Sequence, residues 1–346
     1  MTAERIPVSD HASWLARRHQ DLTASVAGAL FGVHPYTTLY RVWAEKTGRT
    51  AAQEETLAMR RGTMLEPIAV ELLHHVRPDW AIEYPLAAYW RDPGIRLGAT
   101  PDGRARRPDI EGLGVIQIKT VADDVFRGWL DPDTFDVVLP EWIAVQVIVE
   151  AHLTDAAWAA AVIVRLPRGI DELVEGLTHS GCDDVAGILR ALAFAWLHLG
   201  KAEVHVIDVP IHARLISRIR AATAEFWAIT NAGGNPPPDW SRDGATVLDV
   251  FRDSDGSAAM LADPQAFERL AAKYATAKQT ENAAAKEAAL LKPQIIDMLG
   301  NAERGETGRW AASAKTVHRK AYEVRASSSR MLKVTDKAAT EKEIAA

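Results

Sequence analysis

Asp102, Gln117 and Lys119 are the residues whose types and spacing could do chemistry. Leu97-Gly98-Ala99-Thr100 reads as a strand running into the turn Pro101-Asp102-Gly103. Val115-Ile116-Gln117-Ile118-Lys119-Thr120 reads as a β-branched central strand. Side chains alternate faces along a strand, so Gln117 and Lys119 project together while Ile116 and Ile118 point the other way. An amide and a lysine between apolar residues sit poorly on a plain core strand. If the two strands pair across the intervening 104–114 loop, a carboxylate, an amide oxygen and an ammonium group converge. That set suits a hard cation and a scissile phosphate. Magnesium takes oxygen ligands and is often held by only one or two protein carboxylates, with water and phosphate completing its shell.

Two further polar residues interrupt apolar helical stripes. Helical spacing from Glu66 reaches Ala69, Val70 and Leu73, so this glutamate needs a partner, and a metal would supply one. Gln146 shares a stripe with Trp142, Val149 and Leu153. Each of these residues is commonplace alone: an Asp-Gly turn, a helix-surface glutamate, a core amide, a snorkelling lysine. The case rests on their joint order and spacing.

The elements that must position them indicate an α/β chain. Residues 1–60 read as helical with loops. Strands are expected at 81–84, 97–100, 115–120, 160–166 and 203–209, and helices at 141–153 and 211–231, with a helical stretch over 168–200. The three prolines of Asn235-Pro236-Pro237-Pro238-Asp239-Trp240 cannot continue a helix or a central strand and mark a linker. Beyond it, residues 264–299 read as helical, with Phe267, Leu270, Ala271 and Tyr274 on one face. Pro293 is expected to kink or split this helix and Gly300 to cap it. The domain plan is therefore a core over 1–234 containing a helical insertion at 168–200, and a Pro-rich linker over 235–260. A helical, basic region follows over 261–333, then a disordered tail over 334–346.

Composition bounds the function class. The 346 residues are 48% hydrophobic and 25% charged, as in an ordinary globular protein. Cys182 is the single cysteine, so an intrachain disulfide or a cysteine zinc site is excluded. No run is long enough for a membrane helix, and Met1–Gln20 lacks the apolar core of a signal peptide, so a cytoplasmic setting is expected. The net charge is −6, but from Arg304 to Lys333 eight Lys/Arg face only Glu306 and Glu323. That run carries +6, and the remainder −12. Trp310 and Tyr322 lie inside it, an arrangement that suits a phosphate backbone and stacked bases; a solvated surface is the plain alternative.

The order Gly62-x-x-x-Glu66, Pro101-Asp102-Gly103, Gln117-Ile118-Lys119 and a helical Gln146 resembles the YqaJ-type viral recombinase nucleases. These are lambda-exonuclease-like members of the PD-(D/E)XK superfamily. Trp14 to Arg18, followed by Leu22-Thr23-Ala24-Ser25, resembles that family's N-terminal signature, and residues 31–49 resemble the stretch after it. The resemblance covers about 1–166, resumes at about 201–240 and weakens through 261–333. It implies a central mixed β-sheet flanked by helices, plus a C-terminal helical extension. It also implies roles. Asp102, Gln117, the backbone carbonyl of Ile118 and Glu66 would ligate Mg2+ or Mn2+. Lys119 would activate water and stabilise phosphate charge, with Gln117 and Gln146 as the other catalytic residues. Arg18 and Ser25 would bind the 5′-phosphate of a DNA end. One departure stands out: Gln117 occupies a position where the family usually has Glu.

The activity so implied is 5′-to-3′ digestion of linear double-stranded DNA, which leaves single strands for recombination by annealing. Implied partners are duplex DNA ends, a single-strand annealing protein and further copies of the chain in a homo-oligomer, with a ring-shaped trimer as one form. No membrane partner is expected, and the setting would be the cytoplasm of a bacterial host carrying a phage or prophage. Two alternatives stay open. One is an endonucleolytic or structure-specific DNase on the same core; the other is a catalytically dead DNA-binding protein, because of Gln117.

Overall fold

The computed structural model describes residues 3–51, 56–318, 330–332 and 334. They fall into two units, Met1–Val250 and Phe251–Ala346.

The first unit opens with β1 (Glu4–Pro7), α1 (His11–Gln20), β2 (Leu22–Thr23), a 3-10 segment (Ala24–Phe31), α2 (Leu39–Lys46) and α3 (Leu57–Val76). Next come β3 (Ala81–Glu83), β4 (Ala88–Asp92), β5 (Leu97–Ala99), β6 (Gly103–Arg107), β7 (Ile110–Ala122), α4 (Asp123–Arg127) and α5 (Glu141–Thr154). It closes with β8 (Ala159–Leu166), α6 (Ile170–His179), α7 (Val185–His198), β9 (Glu203–Asp208), α8 (Ala213–Asn231) and α9 (Gly244–Val250). The main sheet has the order β3-β6-β7-β8-β9. Only β7 and β8 pair in parallel, with α5 as the crossover. A smaller sheet has the order β1-β4-β5-β2. The expected α/β class and central mixed sheet flanked by helices are therefore present.

The sheet separates two cores. Ile116, Ile118, Ala160 and Val162 pack with Leu65, Ile68, Leu72 and Leu73 of α3. Val115, Ala161 and Ile163 pack with Ile143, Val147 and Ala151 of α5. This is the alternation expected of β7, and it places Gln117 and Lys119 in register with the α5-facing residues. Both faces of β7 and β8 are covered, which is why these strands read as unbroken β-branched runs.

Several expectations need correction. Residues 1–60 contain β1 and β2 as well as helices, because β1 pairs with β4 and β2 with β5. The 104–114 stretch is mostly not a loop: β6 and the start of β7 form an antiparallel hairpin through it. Arg104 and Arg107 are tolerated there because each is partnered, Arg104 by Glu83. Buried Arg107 bonds both carboxylate oxygens of Asp208 at 2.6 and 3.2 Å, and its guanidinium lies 4.5 Å from the Trp158 ring centroid. Nor is 235–260 a linker throughout. Arg242 donates to the carbonyls of His34, Pro35 and Thr37, and Thr38 Oγ1 donates to Asp243 at 2.5 Å. The first unit extends to Val250. The 168–200 stretch forms α6 and α7, packed beside α3.

In the second unit, α10 (Pro264–Leu299) ends at Gly300 as expected, but it runs unbroken through Pro293. None of its residues is buried. A short hairpin follows, β10 (Arg304–Glu306) with β11 (Ala311–Ser313). Arg319, Lys320, Tyr322, Arg325 and Lys333 of the basic run, and nearly all of 334–346, lie outside the described residues. Among the described residues no helix is long and apolar enough to cross a membrane.

Candidate active site

Asp102 sits at the junction of β5 and β6, opposite the middle of β7. Its Oδ2 accepts the Ile118 backbone N–H at 2.7 Å and an N–H of the Gln117 side chain. Both donors fall on one oxygen, leaving Oδ1 without a hydrogen bond among the described residues. Burial pushes the Asp102 carboxyl up, against the opposing pull of Lys119, of the Ile118 amide and of Gln117.

Lys119 lies two residues along β7, one step further on the same face. Its charge is felt by Asp102, Glu66 and Glu150. Glu66, on α3, lies near the Tyr84 hydroxyl, which favours its ionised form. Burial and the nearby Asp102 push Glu66 up to about 7, and burial beside Glu66 pushes Tyr84 up to about 12. Gln146 reaches the site from α5 and donates to Glu150 Oε1 at 2.9 Å. Burial and Asp102 push Glu150 well above the usual carboxylate range. Three carboxylates thus share one field around Lys119.

Gln117 Oε1, Gln146 Oε1 and Glu150 Oε2 are buried without a hydrogen-bond partner among the described residues. Leaving such atoms unpaired is costly, and a cation or a bound water would satisfy them. Among the described residues no group of three or more His, Cys, Asp or Glu is arranged to hold a metal. A cation here would therefore draw on amide and backbone oxygens and water as well as on carboxylate. The oxygen-only donor set and the excess of acid over base fit a hard divalent ion.

Arg18 and Ser25 are brought together on the α1 side. Arg18 Nη2 donates to Ser25 Oγ at 3.0 Å, and Ser25 Oγ lies 3.1 Å from Thr23 Oγ1. The guanidinium stands over the Trp14 ring at 4.5 Å, and Trp14 Nε1 donates to Thr100 Oγ1 at 3.0 Å. Among the described residues no carboxylate pairs directly with Arg18, although Glu150 feels its charge. A partly buried guanidinium bonded only to a neutral hydroxyl suits an incoming anion.

His34 links this pocket to the lysine. Its Nδ1 accepts the Tyr36 and Thr37 backbone N–H groups at 3.2 and 3.1 Å, so Nε2 carries the proton and donates to the Ser25 carbonyl at 3.1 Å. Burial lowers its pKa to about 4, and nearby Arg242 and Lys119 oppose its charge as well. Trp142 lies 5.2 Å from the His34 ring, and Lys119 Nζ is 5.8 Å from the Trp142 centroid. Gly28 permits this: a Cβ there would stand 3.0 Å from that of Trp142. Sequence reasoning missed Glu150, Tyr84 and His34 altogether. Glu150 had a readable signal, a lone acid inside the apolar run from Ile143 to Leu153.

Residues 13–157 match the YqaJ-like viral recombinase domain. That span contains Arg18, Ser25, Glu66, Asp102, Gln117, Ile118, Lys119 and Gln146. No match was found among curated proteins. Among solved structures, the chain is similar to the alkaline exonuclease LHK-Exo of Laribacter hongkongensis, with 18% identity and a TM-score of 0.40. That alignment covers 69% of this chain and 100% of the other. It is also similar to a phage-related exonuclease of Haemophilus somnus 129PT, with 13% identity, a TM-score of 0.43 and coverage of 62% and 96%. The match to the YqaJ-like viral recombinase domain thus encloses both the Asp102–Lys119 centre and the Arg18–Ser25 pocket.

Proposed function

We propose that the chain is a DNA exonuclease of the PD-(D/E)XK type, degrading linear duplex from its 5′ end with magnesium or manganese bound. The observation that carries this reading is the pairing of two phosphate-suited features in one unit. The Arg18–Ser25 pocket has no directly paired acid among the described residues and suits a terminal phosphate; the Asp102–Lys119 centre suits a scissile one. An end-phosphate pocket has no use on internal sites, which favours an exonuclease over an endonuclease. The similar solved structures bear exonuclease names, in keeping with this reading.

Asp102 Oδ1, Gln117 Oε1, the Ile118 carbonyl and Glu66 would hold the metal, which when bound supplies Lewis-acid stabilisation and a more acidic water. The chain's own groups do the rest. Asp102 is fixed by the Ile118 amide, so its free oxygen keeps one direction. Lys119 places positive charge where the phosphate gains negative charge and orients the attacking water. Gln146, anchored on Glu150, presents its free carbonyl oxygen to water or to Lys119. Arg18 holds the end so that the first internal phosphodiester meets Lys119. The single strand left behind would pass to an annealing protein, and copies of the chain would assemble around the duplex.

The test is digestion of 5′-phosphorylated linear duplex beside covalently closed circles, with magnesium or manganese. Shortening of the 5′-ended strand with circles intact supports the reading. Cutting of circles would make the protein an endonuclease, and binding without cutting a DNA-binding protein. Lys119→Ala should fold and lose about a hundredfold or more in rate, as expected for removing a charge-stabilising group.

A further inference from the structure

We infer that Tyr36, braced against His34 and Trp142, is the platform on which the base of the 5′-terminal nucleotide stacks. The inference rests on the proposed exonuclease reading and adds a nucleobase subsite to it.

A terminal phosphate at Arg18 and the first internal phosphate at Lys119 are separated by one nucleoside. The contacts that lead from one group to the other run through aromatic rings. Ser25 accepts from His34 through its carbonyl, His34 lies 5.2 Å from Trp142, and Trp142 lies 5.8 Å from Lys119 Nζ. Tyr36 closes the group, edge-on to both rings at 6.1 and 6.0 Å. His34 is buried, yet Tyr36 is 64% exposed. A large aromatic left in water ordinarily moves freely, but this one stands on a fixed loop. Its backbone N–H is spent on His34 Nδ1, and Arg242 gathers the carbonyls on either side, those of His34, Pro35 and Thr37. An exposed ring on a pinned backbone is preordered for a flat apolar ligand. Every base has such a face, so stacking would grip the end without reading sequence.

Stacking on an aromatic side chain contributes about 1–3 kcal/mol per base, a five- to roughly 150-fold effect. The experiment uses the full chain and 5′-phosphorylated duplexes whose terminal nucleotide is either ordinary or abasic. The parent protein should favour the ordinary end about tenfold in kcat/KM. Tyr36→Ala should bring that ratio close to one, and Tyr36→Phe should keep it. In EDTA, a terminal 2-aminopurine should lose emission on binding the parent and Tyr36→Phe but not Tyr36→Ala. A Tyr36→Ala protein that keeps both the ratio and the quenching overturns the platform while leaving the exonuclease reading intact. A parent protein that neither binds nor cuts DNA ends overturns both.

Discussion

Gln146 donates to Glu150 one helical turn along α5, and both side chains are nearly sealed from water, 4% and 1% exposed. Each keeps one oxygen without a partner. A buried acid in this position costs stability whenever it is ionised, and that cost is measurable.

Glu150 has a raised folded pKa, so the fold prefers its protonated form. The penalty is absent below the ordinary value near 4.5 and grows as pH rises above it. Glu150→Gln should therefore melt higher than the parent at pH 8 in EDTA, with the gain fading near pH 4.5. Thermal unfolding at the two pH values checks this; a gain of equal size at both would assign it to packing.

His34 has the opposite sign. Its folded pKa lies near 4 against an ordinary 6.5, so stability is full above 6.5 and falls as pH drops toward 4. His34→Gln can keep an acceptor and a donor without taking up a proton. It should lose less melting temperature than the parent between pH 7.5 and 4.5. A parallel loss in both proteins would remove His34 from the acid response.

Gln117 currently gives Asp102 a hydrogen bond. Gln117→Glu removes that donor and sets a carboxylate beside a carboxylate. The variant should melt lower than the parent in EDTA and recover more on adding magnesium or manganese, with a lower half-saturating metal concentration. Calorimetric titration alongside melting checks this. An unchanged metal affinity would mean that Gln117 does not face the ion.

Arg18→Ala should slow digestion of 5′-phosphorylated ends about tenfold or more relative to 5′-hydroxyl ends. Losing a hydrogen bond to a charged group costs roughly 1.5–3 kcal/mol. Equal slowing on both ends would show that Arg18 serves the fold through Trp14 and Ser25.

Much of the site was legible because its residues break local rules. Gln117 and Lys119 interrupt a β-branched strand, and Glu66 interrupts an apolar stripe, so their types alone raise the question. The aromatic group escaped notice for the opposite reason. His34, Tyr36 and Trp142 break no rule, and only the close approach allowed by Gly28 assembles them. Charge misled at 104–107, where an arginine-rich strand reads as a loop until Asp208, 101 positions away from Arg107, supplies its partner. It is likewise a distant contact, Arg242 on the 34–37 loop, that makes the 235–250 segment part of the core unit and not a spacer.

That last contact also sets an order of events during synthesis. The carbonyls of His34 and Pro35 wait for a guanidinium more than 200 residues further along. Long-range closures of this kind form late, after local helices and hairpins. A nascent chain whose Asp102, Lys119 and Gln146 have already emerged still lacks the clasp on its aromatic loop. End-gripping competence would thus arrive only when the residues just past the proline run leave the ribosome.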